Sequence, residues 1–174
     1  MLIHEYTSKW ATDFQHIKTI LLDALANISV TIEHVGSTAV PGLAAKPMID
    51  IDIVFNNEND FDKIKNVLEQ IGYYHNGNQG ITDREVFKRS PSEHNEVLDA
   101  IAHHLYVCPI YSKELKRHLL FRNYLRLHAA DRNEYQQLKQ QLAEEANEDR
   151  KRYAHLKEEK AKAFIEGILA KAND

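Results

Sequence analysis

The chain has 174 residues, with 22 Lys plus Arg against 26 Asp plus Glu and a net charge of −4 when its histidines are neutral. That length suits one domain with a helical extension, and the acidic balance argues against duplex nucleic acid as a partner while leaving room for a small nucleotide. No apolar run reaches the roughly 18 residues of a membrane span, the N-terminal residues lack the features of a signal peptide, and a lone cysteine cannot form an internal disulfide, so a cytoplasmic location is expected.

Trp10, Phe14, Ile17, Leu21 and Leu25 recur at spacings of three and four, which predicts an amphipathic helix over 8–26 capped by Ser8 or Thr7. A strand is expected at 28–35, carrying Val30, Ile32 and Val35. The segment from Gly36 to Pro47, with its glycines and prolines, reads as a loop. Strict alternation in Ile49, Asp50, Ile51, Asp52 and Ile53 then predicts a half-buried strand that sends both carboxylates off one face and the isoleucines into the core. Phe61, Ile64, Leu68 and Ile71 predict a second helix over 60–71, ended by Gly72. After a loop with Asn76, Gly77, Asn78 and Gly80, strands are expected at 84–88 and 97–108. In the latter, Leu105 and Val107 alternate against His104 and Tyr106, and Cys108 reads as a buried thiol.

From Ser112, a good N-cap with Glu114 in the first turn, the pattern turns helical, interrupted only by Gly167. Residues 112–132 hold six Lys or Arg against two Asp or Glu, and His118, Arg122 and Arg126 stack at i, i+4 and i+8. A sheltered arginine pair calls for an anion, either a protein carboxylate or a bound phosphate. Residues 131–163 contain eight basic and eight acidic residues, and with Tyr135, Leu138, Leu142, Tyr153 and Leu156 they read as a solvated helical face. The expected fold is α/β (α+β): a mixed β-sheet flanked by helices over 1–110, and a helical region of two or three helices over 111–174 packed on it.

Two carboxylates on adjacent same-face positions repel unless a cation lies between them, and hard oxygen ligands favour Mg²⁺ or Mn²⁺ over zinc. The bland alternative for Asp50 and Asp52 is an exposed strand face. The Gly36–Ser37 turn, directly after a strand, can offer backbone N–H groups and a hydroxyl to a phosphate beside that cation. Neither GxxxxGK[ST] nor GxGxxG is present. The ten histidines are scattered and show no HExxH spacing, which disfavours a zinc hydrolase.

The string EHVGSTAVPGLAAKPMIDIDI, the strand segment HLYV, the segment RHLLFRNYLRLH and the following EYQQLKQQLA together resemble the GrpB family, within the nucleotidyltransferase superfamily. The resemblance runs from about Trp10 to the last helix. It implies a fold like the catalytic domain of DNA polymerase beta, with an hG[GS] turn matched by Gly36 and Ser37 and a Dh[DE]h strand matched by Asp50 and Asp52. Those aspartates would hold Mg²⁺ or Mn²⁺ against a nucleotide or another phosphorylated small molecule. The family's third carboxylate is expected on the neighbouring strand, where His104 stands on the face of Tyr106 instead. His104 thus becomes a ligand or base candidate, with Glu96 and Asp99 as replacements for the missing acid.

Thr38 would shape the turn, Lys46 of the retained AKP would reach a phosphate, and His34 and Arg84 are further candidates at the site. Arg122 and Arg126 would neutralise substrate charge. The alternative function is a non-catalytic nucleotide or coenzyme A-related binding module, because some relatives resemble domains attached to dephospho-coenzyme A kinase.

Overall fold

The computed structural model describes residues 2–173. Helix α1 (Lys9–Ala24) buries Trp10, Phe14, Ile17 and Leu21, but Ser8 makes no side-chain cap bond. The Thr7 hydroxyl accepts from Lys9 N at 3.2 Å instead. Strand β1 (Val30–Val35) leads through a short 3-10 turn, Ser37–Ala39, to β2 (Ile49–Phe55). Helix α2 (Phe61–Gln70) follows, then β3 (Tyr73–His75), too short to carry a readable period, and β4 (Glu85–Arg89).

The single strand expected over 97–108 is a helix and a shorter strand. Asn95 accepts from Val97 N and Leu98 N, and this cap starts α3 (Glu96–Ala100) before β5 (His103–Pro109) begins. A side chain that satisfies two orphan helix donors outweighs the strand preference of one valine. As a result Glu96 and Asp99 lie on α3 rather than beside His104, and Asp99 accepts from Arg89 Nε at 2.8 Å.

The sheet order is β1-β2-β5-β4-β3, with β2 and β5 parallel and the other neighbours antiparallel. Ile49, Ile51, Ile53, Leu105 and Val107 leave one face and pack with Ile17 and Leu21 of α1 and Ile64 and Leu68 of α2 in the main core. Asp50, Asp52 and Val54 leave the other face, in register with His104, Tyr106 and Cys108. Leu115 joins Val54 and Cys108 in a small apolar cluster there, so a helix covers this face as well.

That helix is α4 (Lys113–Leu127), capped by the Ser112 hydroxyl accepting from Leu115 N. Three more follow, α5 (Ala129–Ala146), α6 (Arg150–Lys160) and α7 (Lys162–Asn173), where two or three in all were expected. Asn147 and Glu148 take left-handed φ values of 49° and 65° and separate α5 from α6, whereas Gly167 sits inside α7 without ending it. Leu125, Tyr135, Leu142, Leu156 and Ile168 form a second core with Leu2, Ile3, Val40 and Leu43. The segment after Gly36 is anchored near Ala44 and Ala45: His4 pairs with Ala45, Gln136 Oε1 accepts from Ala44 N at 2.7 Å, and the Lys139 ammonium donates to the Ala44 carbonyl. Lys139 is 1% exposed, so the face read as solvated turns inward at this position. No helix among the described residues is long and apolar enough to cross a membrane.

Candidate functional site

Period-2 alternation places Asp50 and Asp52 side by side on β2, but the surroundings treat them differently. Asp50 keeps 28% of its side chain exposed and accepts from His104 Nδ1 at 2.9 Å. Asp52 has no exposed surface and accepts from His118 Nδ1 at 2.7 Å. Its Oδ1 is buried with no hydrogen-bond partner among the described residues. Burial pushes the Asp52 carboxyl up from its ordinary range, and the imidazole of His118 works against that push. For His118, burial alone would disfavour the proton, yet the hydrogen bonds to Asp52 and Glu114 outweigh it and lift the imidazole to about 9.

Gly36 brings the turn onto Asp50. Its φ is +73°, and a Cβ at this position would lie 2.3 Å from Asp50 Oδ2, a separation no side chain tolerates, so only glycine permits this approach. The Thr38 hydroxyl donates to the Met48 carbonyl at 3.3 Å and accepts from His34 Nε2 at 3.0 Å, tying the turn to the start of β2. His34 itself is 8% exposed and stacks on Phe14; burial pulls its pKa down to about 4.

The turn, Asp50 and His104 form the sheet side of a cavity of about 460 Å³, within the ~300–1,000 Å³ usual for small-molecule sites. Ser37, Thr38 and Lys46 line it, and the helical side contributes His118, Tyr135, Lys139, Tyr153 and Lys157.

The other sequence candidates lie elsewhere. Arg122 donates to Glu33 Oε2 at 2.6 Å and to the His34 carbonyl at 2.9 Å. Arg126 donates to the Ala39 carbonyl through Nε and Nη2. Each residue of the stripe His118, Arg122 and Arg126 thus meets acceptors of the protein, and neither arginine lines the cavity. Arg84 stacks over the Tyr106 ring at 4.8 Å with its Nε buried and unpartnered among the described residues, also outside the cavity lining. Cys108 has no exposed surface, and burial raises its thiol pKa, so it holds no thiolate.

Sequence reasoning placed His118 on a basic stripe without joining it to Asp52, and it missed Lys139 and Lys157. The available signal was a repeated spacing, Tyr135 with Lys139 and Tyr153 with Lys157, hidden in a run of balanced charge.

A mixed sheet in which a Gly-Ser turn comes against the first of two same-face carboxylates on the next strand is a nucleotidyltransferase fold. Structural neighbours agree: Cid1, a poly(U) polymerase, matches with a TM-score of 0.56 in complex with its short product ApU, at 15% identity over 80% of this chain and 42% of that one. Its complex with the UTP analogue UMPNPP matches at 0.51, over 74% and 39%. At such identity the likeness concerns the fold alone.

The chain belongs to the GrpB family, whose sequence model, described as GrpB protein, matches residues 1–171. The crystal structure of conserved protein GrpB from Enterococcus faecalis superposes with a TM-score of 0.78 at 32% identity, covering 98% of this chain and 96% of that one. The UPF0157 protein YqkA of Bacillus subtilis (strain 168) is 32% identical over 154 residues, which is 88% of this chain but only 43% of YqkA.

Proposed function

We propose that the protein binds a nucleotide, or another phosphorylated small molecule, together with a divalent cation in the cavity between the Gly36 turn and Asp50, and that it transfers a nucleotidyl group. The observation that carries this reading is the forced contact of Gly36 with Asp50, which places a hydroxyl, backbone amides and a carboxylate at one point. So close an approach lets both elements bind one ligand.

The donor set suits a hard cation of the Mg²⁺ or Mn²⁺ type. Among the described residues Asp52 Oδ1 is a buried oxygen that lacks a donor; Asp50 lines the cavity, and Asp52, on the same strand face, does not. Among the described residues no group of three or more His, Cys, Asp and Glu side chains could hold a metal. An ion there would be bound by one or two carboxylates and completed by ligand phosphate and water. Such an ion would neutralise phosphate charge. The protein's own part is to orient: Ser37 and Lys46 take phosphate oxygens, and Thr38 holds the turn in place. His104, with Nδ1 donating to Asp50, leaves Nε2 to accept the proton of an attacking hydroxyl.

Binding without transfer is the second reading, and β5 favours it: the segment His103–Pro109 contains no acid, and Tyr106 stands at the register position of Asp52. Cid1, which is similar in fold, binds the UTP analogue UMPNPP, and this supports the ligand class for either reading. Calorimetry with ATP, GTP, CTP and UTP in Mg²⁺ or Mn²⁺, on wild type and on Asp50→Asn, tests binding; equal heats for both proteins would defeat the cation-bridged site. Labelled nucleotide appearing on a small molecule, protein or RNA of a lysate supports transfer, and saturable binding without such a product supports the binding module.

A further inference from the structure

Helices α5 and α6 carry one five-residue pattern twice, Tyr135 to Lys139 as YQQLK and Tyr153 to Lys157 as YAHLK. Residues four apart share a helix face, and all four side chains line the cavity that holds Asp50. Lys139 is 1% exposed. Its ammonium donates to the Ala44 carbonyl and lies 4.9 Å from the Tyr135 ring centroid. Among the described residues neither Lys139 nor Lys157 has a carboxylate in ion-pair contact; Tyr135, which is hydrogen-bonded to Lys157, holds that ammonium above its ordinary range, with smaller contributions from Tyr153 and from Asp50.

Burying an ammonium without a counter-ion is costly, and the cost shows here as a Lys139 pKa pulled down by burial to about 7. Anchoring the Ala44 peptide does not call for that charge. Gln136, on the same helix, anchors the N–H of the same residue with a neutral amide. In a chain of net charge −4, two lysines without a carboxylate partner among the described residues, with two tyrosines lining the same cavity, make an electropositive wall.

We infer that the paired Tyr-Lys motifs form an oxyanion subsite, so that the cavity takes a small ligand bearing a phosphate group at the end away from Asp50. Lys139 and Lys157 neutralise that group and the tyrosine hydroxyls donate to it. The enclosed volume suits a small molecule rather than a polymer. The inference extends the nucleotide reading of the same cavity and rests on it only for the rest of the ligand, since the oxyanion could belong to the nucleotide's own phosphate chain or to a second phosphorylated substrate.

The test is metal-free. Inorganic triphosphate is titrated in EDTA onto wild type, Lys139→Met, Lys157→Met, Lys157→Arg and Asp50→Asn, with circular dichroism to verify folding. Wild type binds saturably, each Lys→Met variant binds about tenfold or more weakly, Lys157→Arg retains binding, and Asp50→Asn binds as well or better because a negative charge has left the cavity. Wild type that ignores triphosphate, or Lys157→Met that binds it like wild type, overturns the subsite; Lys157 is half-buried, so its variant decides the question even if Lys139→Met does not fold. Triphosphate binding without cation-dependent nucleotide binding would retain the subsite and remove the nucleotide reading, and the converse would remove the subsite alone. Triphosphate that displaces ATP assigns the subsite to the nucleotide's own phosphates, and triphosphate that binds alongside ATP assigns it to a second substrate.

Discussion

His118 Nδ1 lies 2.7 Å from Asp52 Oδ2, a contact between α4 and β2 made across 66 positions of sequence. Among the described residues it gives the buried carboxyl its one hydrogen-bond partner and leaves the other oxygen without one. Removing the imidazole strands a charge inside the protein, so His118→Ala is expected to lose about 3 kcal/mol of stability, read by urea denaturation. Adding Asp52→Ala to that variant should recover part of the loss, and a double-mutant cycle measures the coupling. A loss below about 1 kcal/mol would mean that the pair is solvated like a surface contact.

Gly36 and Gly80 offer a controlled comparison. Both have positive φ, +73° and +80°, but a Cβ on Gly80 meets nothing within 4 Å while one on Gly36 meets Asp50. Gly80→Ala should cost about 1 kcal/mol from backbone strain alone. Gly36→Ala should cost more and should also abolish nucleotide binding. Similar stabilities and intact binding in both variants would show that the turn can move away from Asp50 freely.

The acid limb of stability should report His34. Its folded pKa near 4 lies below the ordinary value of 6.5, so between those values the unfolded chain holds the extra proton. Stability then falls as pH drops from 6.5 toward 4, by up to ~3 kcal/mol for this group. His34→Gln should flatten that limb in thermal melts taken across the range.

The alkaline limb should report Lys139 with a slope of the same sign. Its folded pKa near 7 lies below the ordinary 10.5, so the folded state carries a penalty at pH 7 that is relieved as pH rises from 7 to 10.5. Lys139→Met is expected to be more stable than wild type at pH 7 and to lack the rise. If wild type and variant keep parallel profiles, the amine is not held uncharged by burial.

Divalent cation should raise the melting temperature in the presence of nucleotide, and chelation should reverse the rise. Asp50→Asn should remove the effect while leaving the ligand-free melting temperature close to wild type, because Asp50 is partly exposed and its amide can still accept from His104. An undiminished cation effect in that variant would place the ion elsewhere.

The parts of the fold that were readable in advance are those governed by local periodicity. The helical spacing from Trp10 to Leu25 became α1, and the alternation through Asp50 and Asp52 became β2 with both carboxylates on the face opposite the core. Misreading came where a short-range cap competed with composition. Asn95 turned Val97–Ala100 into helix, and three-residue β3 had no period to detect. The helical half was the least legible, since charge balance along 131–163 says nothing about which lysine points inward.

By itself the chain determined that Asp50 and Asp52 share a face, because side-chain direction along a strand is a local property. Tertiary structure alone decided who meets them. His118 reaches Asp52, Arg122 turns to Glu33, Arg126 turns to the Ala39 carbonyl, and Lys139 enters the cavity. Each of those pairings depends on how a distant helix settles on the sheet, and that docking is set by the packing of two cores rather than by any spacing within the segments themselves.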